Sequence, residues 1–251
     1  MNQISKKRLT GIWVLSLLTL LILTTFSLVL ADGDTRPATP AEKELHKTVL
    51  QTFAKAVPPG PEGWEKTGDS TEIKDIQYVP DIKNLPLRVE YRMVWQNAKQ
   101  IRDANIKFQE ELIKLAKKPG FTGEGVDELQ RTISPHDVKV RIDVAANLTS
   151  QGIYEKAAPA AAIAGGLVYR SQGDYRSNEW SEGSTYVFLG KIWKMSSSSS
   201  SGSYIDFKPE KPLTAAAVVR NIAVRIQADP ARGQQYIDKI DWESLKKLIK
   251  N

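Results

Sequence analysis

Two stretches of this chain alternate between apolar and polar side chains. From Leu87 to Trp95, Val89, Tyr91, Met93 and Trp95 alternate with Arg88, Glu90, Arg92 and Val94; further on, Val138, Val140, Ile142 and Val144 alternate with Lys139, Arg141, Asp143 and Ala145. A period of two places successive side chains on opposite faces, so each stretch reads as a half-buried strand. Between them the period becomes helical. From Asn97 to Lys118, Ile101, Ala104, Phe108, Leu112 and Leu115 form an apolar stripe, the opposite face carries charges of both signs, and Pro119-Gly120 ends the helix.

Other elements frame this unit. Thr39-Pro40-Ala41-Glu42 is a capping-box pattern with proline at the first helical position, and Leu45, Val49, Phe53 and Ala56 share one face. A helix is predicted over 40–57, ending at Pro58-Pro59-Gly60-Pro61. Short strands are expected around Ile73 to Tyr78, at Leu167 to Arg170, from Tyr186 to Met195, from Tyr204 to Phe207 and from Ile222 to Ile226. The segment from Tyr186 to Met195 is apolar on both faces, as a central strand would be. Residues 157–166, rich in Ala and Gly, fit either a short helix or a close-packed loop, and Gly120 to Gly125 reads as a loop. Ser196 to Ser201 reads as a flexible hairpin connection. Asp229-Pro230 caps a short helix, and Trp242, Leu245, Leu248 and Ile249 mark the inward face of a last one. Strands cluster without a helix between each pair. The expected class is therefore α+β, with a mainly antiparallel sheet and helices packed on one face.

The N-terminus sets the expected compartment. Lys6, Lys7 and Arg8 precede an uncharged run from Gly11 to Leu30 that ends in Val29-Leu30-Ala31, with small residues where an export signal is cut. At 20 residues the run exceeds the usual secretory core of about 7–15 and reaches the length of a spanning helix. Two expectations follow: a signal peptide over 1–31 cleaved after Ala31, or the same segment kept as an inner-membrane anchor. Either places residues 32–251 outside the cytoplasm, periplasmic or secreted. Residues 32–39 then form a flexible start and 40–251 a single domain.

The chain contains no cysteine, which excludes disulfides, thiolate metal sites and cysteine nucleophiles. A domain of this size buries about 70% of its unfolded surface, enough to stand without such staples. An exported chain without disulfides suits a bacterial envelope. Three of the 35 Lys and Arg residues lie in the signal segment, leaving 32 against 29 acidic residues. A balance that small does not predict nucleic-acid binding.

Little in the sequence points to catalysis. His46 and His136 are the only histidines and neither has a partner at metal-ligand spacing, so both read as solvated or partly packed. No Gly-x-Ser-x-Gly elbow and no phosphate loop occur. Paired carboxylates suffice for glycoside hydrolysis, and Glu110-Glu111, Glu124-Asp127-Glu128 and Asp238-Asp241 are candidates by proximity, though each also fits helix-surface or capping charge. No metal or cofactor is expected. The segment from Tyr169 to Tyr186 mixes aromatic and charged residues between two strands, which makes Tyr169, Arg170, Tyr175, Arg176 and Trp180 the candidate ligand or partner surface. The same segment also fits a long hairpin whose aromatics cover the core edge. The functional expectation is a non-catalytic binding domain for an envelope protein or a small ligand. The alternatives are a carboxylate-dependent periplasmic hydrolase and a membrane-tethered envelope protein.

Overall fold

A computed structural model describes residues 35–36, 38–70, 76–77, 87–153, 156–176, 179–190, 193–198, 204–209 and 217–250. The segment that reads as an export signal, with Ala31 as its expected cleavage position, lies outside the described residues. Among those residues, no helix is long and apolar enough to cross a membrane.

The elements follow in the order β1 (Thr35–Arg36), α1 (Pro40–Ala56), β2 (Glu65–Ser70), β3 (Ile76–Gln77), β4 (Val89–Gln96), α2 (Ala98–Ala116), α3 (Gly123–Ile133) and β5 (Lys139–Ala146). Then come β6 (Gln151–Ile153), β7 (Ala157–Ile163), β8 (Gly166–Ser171), β9 (Asp174–Arg176), β10 (Glu179–Ser181), β11 (Ser184–Leu189), β12 (Trp193–Ser198), β13 (Ile205–Pro209), β14 (Ile222–Gln227), α4 (Pro230–Lys239) and α5 (Trp242–Leu248). The main sheet has seven strands in the order β2-β4-β5-β14-β11-β8-β7, every pair antiparallel, and a three-stranded sheet has the order β12-β13-β6. The class is α+β with a mainly antiparallel sheet, as the clustering of strand patterns predicts.

The alternation read from sequence sorts side chains onto two sheet faces. Val89, Tyr91 and Trp95 of β4, Val140, Ile142 and Val144 of β5, Ile222, Val224 and Ile226 of β14 and Val187 and Leu189 of β11 are all buried in one cluster with Val49 and Phe53 of α1, Tyr236 and Ile237 of α4 and Leu245 of α5. Each such side chain contributes about 1.5–3 kcal/mol when fully buried. Tyr186 and Phe188 of β11 and Ala223 of β14 point the other way, into a second cluster with Leu148, Ile153, Trp193, Ile205 and Phe207 under the small sheet.

The capping box is formed as predicted: Glu42 N–H donates to Thr39 Oγ1 at 3.3 Å, and Thr39 N–H donates to Glu42 Oε2 at 2.8 Å. Asp229 caps α4 by accepting from Ala231 and Arg232 N–H. Other expectations are corrected. His46 is buried at 5% exposure, because the inward stripe of α1 runs Glu42, His46, Val49, Phe53, Ala56 and leaves Leu45 half-buried.

Residues 157–163 are a strand, β7, at the sheet edge, joined to β8 by a turn at Ala164-Gly165 where both residues have positive φ. Residues 123–133 form a helix, α3, although its first turn contains Gly123 and Gly125 and Thr122 makes no side-chain cap. Helices α2 and α3 pack on each other and bury no residue; Ile106 and Ile113 are 54% and 58% exposed. The predicted strand from Tyr186 to Met195 is two strands in two sheets. The first is central in the main sheet, and at its end Gly190 adopts φ +106, a conformation that suits glycine, where the chain leaves that sheet. The first serines of the run extend β12, where Ser197 and Ser198 pair with β13 beyond a bulge at Ser196.

Candidate functional site

The hairpin singled out from sequence is present, built from β8 and β11 and extended by β9 and β10. It separates Tyr169 from Arg170, the two candidates whose side chains are described. Tyr169 points at the small sheet, where its ring meets Phe207 edge-on at 4.8 Å between centroids. Arg170, one residue on, points to the helix side and donates to Gln234 of α4 at 3.1 Å. The two-residue period of β8 makes this separation unavoidable. The backbone register pairs Tyr175 with Trp180 and Arg176 with Glu179; the side chains of Tyr175, Arg176 and Trp180 lie outside the described residues.

Four of the candidate acids have local partners on their own helices. Glu111 accepts from Lys114, Glu128 faces Arg131, Asp238 accepts from Gln234 and Asp241 caps α5 through Ser244. The Lys114 ammonium holds the Glu111 carboxyl below its usual range, and hydrogen bonds from Ser244 do the same for Asp241. A general acid needs a shift in the opposite direction. Among the described residues no group of three His, Cys, Asp or Glu side chains could hold a metal ion.

A different constellation lies on the sheet face opposite the helices. The cross-strand register aligns Arg92 of β4 with Asp143 of β5, Asp143 with Arg225 of β14, Arg225 with Tyr186 of β11, and Tyr186 with Tyr169 of β8. One transverse row thus runs from charged to aromatic. The aromatic end packs with the small sheet, and the charged end borders a depression of ≈ 220 Å³ whose lining includes Ala145, Ala223 and Gln151. Small alanines in the neighbouring row leave the hollow that larger residues would fill.

Arg92 Nε donates to Asp143 Oδ1 at 2.6 Å, and Arg141 Nε donates to Asp143 Oδ2 at 2.7 Å. The single carboxylate therefore holds two guanidiniums. Arg225 donates to Ser184 Oγ at 3.2 Å and lies 5.4 Å from the centroid of the Tyr186 ring, which it faces. Arg88 and Glu90 form an ion pair within the same lining. Four arginines and two carboxylates line this depression. Such an arrangement can bind an anion; it offers no nucleophile with an adjacent base.

Arg92, Arg141 and Asp143 were visible in the sequence only as the wet positions of two strands. The available signal was their chemistry: charged residues, rather than Ser or Thr, at successive outward positions of both alternating stretches. Arg225 sits likewise between Val224 and Ile226. Which of these residues align could not be read without the pairing register. No protein-family model, curated protein or solved structure matches the chain.

Proposed function

We propose that this chain is an exported, non-catalytic binding domain of a bacterial envelope, and that its ligand surface is the open face of the main sheet. The observation that carries the reading is the pair of guanidiniums held by Asp143 beside a depression that the small sheet leaves uncovered. Pre-oriented donors on rigid strands lower the entropic cost of binding. The basic start, the apolar run and the small residues before Asp32 support export, and the absence of cysteine suits that compartment.

The test uses the full chain in a bacterial host, fractionated, with N-terminal sequencing of the mature protein and a photo-crosslinking residue placed at Arg88 or at Lys47. Arg88 lies at the depression with a side chain 60% exposed, and Lys47 is exposed on α1. Envelope localisation with an adduct from position 88 and none from position 47 is the expected result. A cytoplasmic chain, or equal labelling from both positions, overturns the reading.

A further inference from the structure

We propose that the depression beside Asp143 is a phosphoryl-group site, in which Arg92 and Arg141 contact the phosphate oxygens and Asp143 positions both; this rests on the reading of the open face as the ligand surface. Each arginine reaches Asp143 through Nε alone, and among the described residues the terminal amino groups of Arg92 and Arg141 carry no hydrogen bond. Held at Nε, each guanidinium has its rotation restricted while its two outer amino groups remain available as a fork. Forks of this kind match the oxygens of phosphate in parallel pairs.

Charge selects among anions. Two guanidiniums held on one carboxylate leave net positive charge, and a phosphate monoester, at about −1.5 to −2 near neutral pH, offers three oxygens to their forks where a carboxylate offers two. Size sets how much of a ligand enters. At ≈ 220 Å³ the hollow falls below the roughly 300–1,000 Å³ of sites that enclose a whole drug-sized ligand. It accommodates a phosphoryl group and its nearest atoms, with the remainder of the ligand lying in solvent.

Partial exposure keeps the site wet: the Arg92 side chain is 45% exposed and that of Arg141 28%. Affinity for the bare anion is accordingly modest and falls with added salt. The phosphoryl group could belong to a soluble ligand or to a lipid headgroup, and the contacts made in the depression are the same for both.

The test titrates the full chain with inorganic phosphate, followed by phosphorus NMR and calorimetry, alongside flotation with phosphatidic acid or phosphatidylcholine vesicles. One phosphate per chain is expected to bind saturably, and Arg92→Gln or Arg141→Gln to weaken it roughly tenfold, as loss of a charge-assisted hydrogen bond would. Asp143→Asn separates positioning from bulk charge. It adds net positive charge, so a diffuse basic patch would bind phosphate more tightly, whereas loss of the held geometry weakens binding severalfold. Affinity should also fall as pH drops through neutrality and the inorganic phosphate dianion takes up a proton, while sulfate shows no such step.

Retention on phosphatidic acid vesicles, abolished by Arg92→Gln, assigns the group to a headgroup; binding of free phosphate without vesicle retention assigns it to a soluble ligand. Absence of saturable phosphate binding, or Asp143→Asn binding more tightly, overturns the proposal. An adduct from position 88 in a chain that binds no phosphate would sink this inference and leave the ligand surface standing.

Discussion

Asp137 and Arg232 lie 95 residues apart in sequence and are joined by two hydrogen bonds of 2.5 Å, from Arg232 Nε to Asp137 Oδ1 and from Nη2 to Oδ2. Arg232 also lies over the Trp64 ring, 4.6 Å from its centroid, and Asp137 N–H donates to the buried Glu182. The pair connects the segment before β5 to α4, and Glu182 adds the hairpin that leads into β11. Hydrogen bonding to Asp137 raises the Arg232 pKa further above its ordinary value. Asp137 adopts φ 51, a left-handed conformation that Asp and Asn tolerate and β-branched residues do not.

Replacing Asp137 therefore tests charge and backbone separately. Asp137→Asn keeps the backbone preference and should cost about 1–2 kcal/mol by weakening the charge-assisted pair. Asp137→Val should cost more, since it adds strain at positive φ of about 1–3 kcal/mol. Urea unfolding of both variants measures the difference; equal losses would show that the backbone conformation contributes nothing.

Asn147 predicts a larger effect. It is 1% exposed at φ 59, donates to Leu87 O and Val218 O at 3.0 and 2.9 Å, and accepts from Arg220 N–H at 2.8 Å. Asn147→Ala would strand a donor and two acceptors where β4, β5 and β14 meet, at about 2–4 kcal/mol. Loss of the folding transition at 37 °C, or a midpoint shift of that size, is the expected readout.

Close approach at Gly60 makes a steric prediction. A Cβ there would come 2.2 Å from the Trp95 indole, which itself stacks on Tyr236 at 6.1 Å between centroids. Gly60→Ala should push the indole off its rotamer and destabilise the fold by about 1–3 kcal/mol, with a change in tryptophan fluorescence. An unchanged spectrum and midpoint would mean that the proline-rich turn shifts freely.

Alkaline pH should loosen the same corner. Burial pushes the Tyr236 hydroxyl up to about 12, and its O–H donates to Pro59 O at 3.1 Å. The folded state holds this proton more tightly than an unfolded chain, whose tyrosine ionises near 10. Stability from this group is complete below about pH 10 and is lost as pH rises toward 12. Tyr236→Phe should remove that part of the alkaline decline while costing something at neutral pH for the lost hydrogen bond. Denaturation midpoints at pH 8 and pH 11 check both signs.

Local signals in this chain were legible where one rule acted alone. The Thr39–Glu42 box, the Asp229-Pro230 cap and the strand at β5 formed as expected, because capping geometry and two-residue alternation need no partner to be recognised. Reading failed where tertiary pairing overrode local preference. The alanine-rich β7 is a strand because β8 offers it a ladder, and Ser197 and Ser198 are extended because β13 pairs with them. Helix α3 is not legible locally, since Gly123 and Gly125 resemble a loop, while packing on α2 supplies the stability that its first turn lacks.

The candidate site follows the same division. Sequence alone determined that Arg92, Arg141, Asp143 and Arg225 occupy outward positions of strands, since the apolar partners on either side of each must face the core. Tertiary structure decided that they are neighbours: the register of β4, β5 and β14 aligns Arg92, Asp143 and Arg225 in one row, and the small sheet covers the aromatic end of that row while leaving the charged end open. The physical reason is reach. Periodicity acts over a few residues along one strand, whereas register and cover depend on chain segments brought together from opposite ends of the molecule.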